Sequence, residues 1–416
     1  MNNNYIKLVI LIVLLSAVAL SPSFNAGELK DKDKYIEIRA EDILLALFIS
    51  FSFLSFLAFG KKEIEKPPMF LIICLWLGFS FVSLLINFIL NNMAVDRGLF
   101  YLLKEVEFFF LFFYIFYLVK DIKTAKISVF VWLILIALNT FFVIFQIVFK
   151  IKWGEYGSRA ISEWGAFPTG AFFLISFVFF FNIFLYYFFE LNISKTKKAA
   201  LGFLSFIPII GVFGSGSKTN FLSLFFVLFL TFLFAVFKKR NLKLFLLMIL
   251  IAAVVVLSFL IINLNLPKTQ RLASVLSFEE ALFSFEKARY ERVIGPEFEK
   301  AKERPLYIYL FGIGKGYGET HNQYLRNFVE TGIMGSLIFL IMIFLILKTS
   351  FKEFLKSVNI FITGISSGLL VATLCMIFMS FATEPFLVVK PAEVYWIFAA
   401  IAMASFKLIK EDNEIQ

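Results

Sequence analysis

Histidine occurs once in this chain of 416 residues, cysteine twice, and charged residues make up only 17%. Each scarcity closes off a class of protein. Cys74 and Cys375 both sit in the middle of apolar runs, so they read as packing thiols, and no disulfide framework exists. A single histidine, with no His/Cys/Asp/Glu cluster at ligand spacing, speaks against a metalloenzyme. No stretch has the Gly-x-x-x-x-Gly-Lys-Ser/Thr spacing of a nucleotide loop. GIGKGYG at 312–318 is glycine-rich, but it follows no predicted parallel strand and reads as a flexible turn feeding a helix. An ATPase, a nucleotide-sugar enzyme or a metalloprotease therefore has little support. The shortage of charge sits beside 60% hydrophobic residues, 60 of the residues being Phe, and a mean hydropathy of +0.88. One soluble core cannot hide that much apolar surface.

What is present is a series of apolar runs long enough to cross a hydrocarbon layer about 30 Å thick. They predict an all-α integral membrane protein of about twelve spans, near 5–22, 43–59, 69–90, 99–119, 127–149, 167–190, 199–213, 221–237, 244–263, 328–347, 358–381 and 394–409. The seventh is short and ends in GVFGSGSK, which suggests a broken or tilted helix. The first has one lysine before its apolar core and only SFNAG after it, so it reads as a retained span and not a cleaved signal. No internal repeat is visible. The simplest organisation is one polytopic domain over 1–416, with an outer subdomain at 264–325.

Lysine and arginine set the orientation. With the N-terminus inside, KKEIEK (61–66), KDIKTAK (120–126), ISKTKK (193–198), KKRNLK (238–243) and KTSFKEFLK (348–356) all face inward, each with three or four cations. The outer short loops have Arg97, Lys218 or Lys390 alone; LKDKDKYIEIR (29–39) and KIKWGEYGSR (150–159) are exceptions. The net charge of +10 is thus mostly topology, and nucleic acid is not an expected partner. The outer segment holds nine Lys/Arg and eight Asp/Glu, so it is nearly neutral.

The lone histidine, His321, lies at the end of that outer segment in HNQYLRNFVETGIMG. Its spacing to Gly332 is eleven residues, close to three helical turns. Leu325, Phe328 and Gly335 fall on the same stripe. The periodicity therefore predicts a histidine crowning a continuous helix, with two glycines below for close packing. Asn322, Arg326 and Glu330 form the adjacent stripe, where Arg326 and Glu330 can pair. Periodicity alone also fits an interfacial histidine above an ordinary packing face.

The form His-Asn, nine residues, Gly-x-x-Gly resembles the signature of the O-antigen ligase family, which shares a core with O-antigen polymerases. Upstream, ARYERVIGPEFEKAKERPLYIYLFGIGKGYGETHN resembles that family's arrangement of an arginine, some sixteen residues, then a proline and a Gly-x-Gly before His-Asn. The resemblance puts the family's loop arginine on Arg289, with Arg292 a near rival. Where the family has Ser-Arg-x before the eighth span, this chain has Ser217-Lys218-Thr219. Lysine keeps the charge there but loses the bidentate fork to phosphate. Recognisable motifs cover roughly residues 200–350, and the rest matches by topology.

The resemblance implies a membrane glycosyltransferase of the bacterial inner membrane, with its active site facing the periplasm. It would take a glycan from undecaprenyl diphosphate with neither metal nor nucleotide cofactor. The acceptor would be lipid A–core for a ligase, or a second lipid-linked glycan for a polymerase. His321 would be the general base, since a neutral imidazole suits that work near neutral pH. Arg289, Lys218 and Arg292 would stabilise charge on the leaving diphosphate. Asn322, Arg326, Lys104 and Arg159 are further candidates for substrate contact, as are Glu384 and Lys390 in the last outer loop. Lys104 stands beside Glu105 and Glu107, and a neutralising pair is its plainer reading. FEEALFSFEKARYERV predicts an amphipathic helix over the catalytic mouth. A transporter or flippase built on Lys104 and its glutamates, and a non-catalytic scaffold, are the readings from other classes.

Overall fold

The computed structural model describes residues 3–20, 23–29, 34–39, 42–48, 67–90, 95–149, 166–188, 190, 194–239, 295–296, 305–316 and 320–415. Its elements, in order, are α1 (Asn3–Leu20), β1 (Ser23–Leu29), β2 (Lys34–Arg39), a short helix at 42–48, α2 (Phe70–Ile89), α3 (Val95–Leu118), α4 (Ile122–Val148), α5 (Ala166–Phe188), α6 (Lys195–Ser215), α7 (Lys218–Lys239), α8 (Leu306–Phe311), α9 (Gln323–Lys356), α10 (Ile360–Met379) and α11 (Val389–Ile415).

Among the described residues, eight helices are long and apolar enough to cross a membrane: α2, α4, α5, α6, α7, α9, α10 and α11. The chain is a multi-pass membrane protein. α1 is a shorter apolar helix, and α3 has spanning length but carries Lys104, Glu105 and Glu107. Of the other expected spans, 244–263 and most of 43–59 lie outside the described residues.

The all-α expectation holds for the membrane bundle, to which one small hairpin is added: β1 and β2 pair antiparallel, Ser23 opposite Arg39 and Leu29 opposite Lys34. KYIEIR alternates apolar and polar residues, the two-residue period of a strand. One expectation changes, because the seventh span is not broken. α6 runs unbroken across Pro208, from an N-cap at Ser194, whose side chain accepts from Lys197 N, to a left-handed Gly216.

α5, α10 and α11 form the centre: 78%, 83% and 83% of their most apolar stretches are buried, against 39% for α2 and 33% for α6. Phenylalanine supplies much of this packing. Phe179 of α5 stacks on Phe398 of α11 at 4.1 Å, and Phe226 of α7 on Phe378 of α10 at 4.6 Å. Buried side-chain hydrogen bonds add direction, as expected where packing replaces a hydrophobic drive between helices. Asn182 of α5 donates to Thr231 of α7 and accepts from Ser367 of α10.

α7 and α9 run in the same direction. At one end of the bundle Lys238 Nζ donates to the carbonyls of Leu355 and Ser357, at 2.7 and 3.2 Å. The starts of both helices, with Lys218 and His321, therefore share the opposite end. The C-terminus of α10 joins them there, since Gln323 N donates to Ser380 O and Thr383 O.

Candidate functional site

α9 is not continuous. Gly332 has φ 66° and ψ −167°, a conformation essentially reserved for glycine. The break takes the usual helix donors away from the carbonyls of Val329 and Glu330, and an unsatisfied carbonyl inside a membrane is expensive. The segment 305–316 crosses the break and replaces them. Ile313 N donates to Val329 O at 2.8 Å, and Gly314 N to Glu330 O at 3.0 Å. Ser83 Oγ of α2 donates to the same Glu330 carbonyl at 2.8 Å, while Asn87 Nδ2 holds Gly312 O at 3.0 Å. Backbone meets backbone so closely that a Cβ on Gly312 would overlap Glu330, and one on Gly332 would overlap Leu310. The first five residues of that run, GIGKG (312–316), are thus a fitted strap, with positive φ at Gly312, Gly314 and Gly316, and not the flexible turn its composition suggests. The Gly-x-x-Gly pair likewise serves a helix break in the first instance.

Along the strap runs a buried chain of charges. Arg326 Nε donates to Glu330 Oε1 at 2.9 Å, the i, i+4 pair expected from spacing, and Nη1 of Arg326 donates to Glu384 Oε2. Glu330 Oε1 also accepts from Gly316 N at 2.9 Å. Lys315 Nζ lies 3.7 Å from Glu330 Oε2 and 2.6 Å from Glu105 Oε1. Trp76 Nε1 donates to the second oxygen of Glu105 at 3.1 Å, and its ring lies under the Lys315 ammonium at 4.4 Å. Tyr101 stacks on the Arg326 guanidinium at 4.7 Å. All five charged residues are buried. The sequence Glu384–Arg326–Glu330–Lys315–Glu105 alternates in sign, which keeps like charges apart.

Next to Glu384, at one end of that chain, stands His321. Glu384 Oε1 accepts from Thr320 N at 2.7 Å, Thr320 Oγ1 at 3.0 Å and His321 N at 2.9 Å. His321 has φ 52°, a left-handed conformation uncommon for any residue but glycine. It precedes the helix and does not sit on its stripe, and its side chain is exposed. Asn322 is the N-cap: its Oδ1 accepts from Leu325 N at 2.9 Å, and its Nδ2 donates to Phe381 O at 3.2 Å. A short polar side chain after the histidine is what a helix start calls for.

The remaining candidates divide. Lys218 is half-buried in the first turn of α7, at the same end as His321. Lys104 is held by Asp42 at 2.6 Å and Glu107 at 3.0 Å, the neutralising arrangement its neighbours allowed. Lys390 is not in a loop but in the first turn of α11, buried 3.1 Å from Glu393 and donating to Val18 O at 2.8 Å. Arg326 and Asn322 are engaged by the contacts above. Arg289, Arg292, Arg159 and the segment FEEALFSFEKARYERV lie outside the described residues. Sequence reasoning did not pick out Lys315 or the partner of Glu105. The signal was arithmetic: once Lys104 pairs with Glu107, Glu105 is a carboxylate in an apolar span that needs a cation from elsewhere.

Two stability predictions follow from this geometry. Glu105→Ala leaves Lys315 buried without its carboxylate and costs about 3–5 kcal/mol, read as a lowered Tm in detergent. Glu105→Leu combined with Lys315→Met removes both charges and recovers most of that loss. Gly332→Ala adds a backbone clash to a strain of about 1–3 kcal/mol, and lowers Tm sharply. Gly78→Ala, where an added Cβ meets nothing within 4 Å, leaves Tm unchanged or raises it.

No protein-family model matches the chain, and no curated protein is significantly similar to it.

Proposed function

We propose that this chain is a membrane glycosyltransferase that moves a glycan from undecaprenyl diphosphate to lipid A–core, at the periplasmic face of a bacterial inner membrane. The observation that carries the reading is the presentation of His321. The only imidazole in the chain is exposed at one end of a membrane bundle, while its backbone is gripped from below by a buried carboxylate. A packing residue has no need of such a mounting. Lys218 at the same end supplies one fixed cation, and the resemblance around Arg289 and Arg292 supplies the others.

The chemistry runs in one step. The acceptor hydroxyl oxygen attacks the anomeric carbon of the glycan. The imidazole of His321 takes the hydroxyl proton, and the bond from the anomeric carbon to the diphosphate oxygen breaks, its electron pair leaving with the diphosphate. Lys218, Arg289 and Arg292 stabilise that charge near a low-dielectric boundary, where fixed cations act strongly. Arg159 is a further candidate for contact with the sugar or the phosphate.

The same direction of α7 and α9 agrees with the expected topology, in which both of these spans start at the outer face. The cation-poor outer loops support placing the His321 end outside and both termini inside. A polymerase that extends lipid-linked repeats would use the same residues and differ only in acceptor.

The test is a transfer assay with purified protein and undecaprenyl diphosphate-linked glycan, with and without lipid A–core, lacking nucleotide and divalent metal. Glycan on lipid A–core is expected, with His321→Ala reducing it by at least about 100-fold. Lengthened lipid-linked chains without the core acceptor would reassign the chain as a polymerase. Equal transfer by His321→Ala and the parent would remove the base.

A further inference from the structure

Building on the reading of His321 as the base, we propose that Glu384 is a positioning residue, whose carboxylate holds the His321 backbone in the left-handed turn that presents the imidazole. A residue in that conformation followed by a helix start turns successive amides toward one point, forming a nest for an anion. Here the protein fills the nest itself. Glu384 Oε1 takes both amides, Thr320 N at 2.7 Å and His321 N at 2.9 Å, and the Thr320 hydroxyl at 3.0 Å.

The grip is braced from behind. The second oxygen of Glu384 accepts from Arg326, and Arg326 is fixed in turn by Glu330 at 2.9 Å. Glu384 is itself buried, in the loop after α10. That loop is tied to the start of α9 independently, through Gln323 N to Ser380 O and Thr383 O at 3.0 and 3.1 Å. The carboxylate therefore has a fixed position, and the peptide of His321 is set by it. A further consequence concerns the donor. With the Thr320 and His321 amides occupied by Glu384, this nest is closed to phosphate, so the diphosphate would be met by side-chain cations.

The test has a readout in the unmodified protein. Amide hydrogen exchange at Thr320 and His321, both ahead of the helix, is expected to be as slow as in the first turn of α9. Exchange at open-chain rates overturns the proposal. The sole histidine supplies the second readout. With ring-labelled histidine and a purification tag free of histidine, the protein gives one ring signal in magnetic resonance. Glu384→Ala is expected to shift or broaden that signal, and to lower kcat about 100-fold with the donor KM unchanged. Glu384→Gln keeps an oxygen for the two amides, and is expected to recover part of the loss. If Glu384→Ala does not fold, the Gln variant and the exchange rates decide. An unaltered ring signal, or full activity in Glu384→Ala while His321→Ala is inactive, overturns this proposal alone. A His321→Ala variant as active as the parent overturns the base, and the positioning role with it.

Discussion

A helix interrupted inside a membrane must find new donors for the carbonyls it frees, because lipid offers none. At Glu330 that requirement and an ion pair fall on one residue. Its carbonyl takes the amide of Gly314 and the hydroxyl of Ser83. Its carboxylate takes Arg326 and the amide of Gly316. The break in α9, the strap, α2 and the charge chain therefore meet at a single side chain and its own peptide. None of the four is set independently of the others.

The charge chain has one more carboxylate than cations, and neutral donors make up the difference. Trp76 Nε1 serves Glu105, Gly316 N serves Glu330, and the amides of Thr320 and His321 serve Glu384. Each carboxylate thus has a cation on one side and an N–H on the other, which is how buried charge is made tolerable. This divides the labour in the proposed site. The buried ions fix geometry, and in the reading proposed above the substrate would be met by His321 and by cations near the surface. The Arg326 guanidinium and the Asn322 amide, chemically attractive as ligands for phosphate or sugar, are already engaged in holding the helix start.

Much of this was legible in the sequence, and the failures have physical causes. Helix positions were readable because spans of apolar residues are long and their ends are marked by charge. The Arg326–Glu330 pair was readable because it obeys helical spacing. The position of His321 was misread for the same reason: extrapolating 3.6 residues per turn assumes that the helix has already begun, and Asn322 begins it one residue later. Gly332 looked like a packing residue because small residues at helical spacing serve that purpose far more often than a break does. β2 was hidden by charge, its alternation in KYIEIR being outweighed by the lysines and aspartates before it. Lys315 and Glu105 are 210 positions apart, and no local pattern reports a contact of that kind.

The strap also bears on how a chain of this design can diverge. Between Gly312 and Gly316 the amides of Ile313, Gly314 and Gly316 are each matched to an acceptor on α9, so adding or deleting even one residue would shift them off those acceptors. A change of length within these five residues is therefore barred, whatever substitutions the stretch accepts. Relatives of this chain would keep the count of residues here even where they kept few of the side chains.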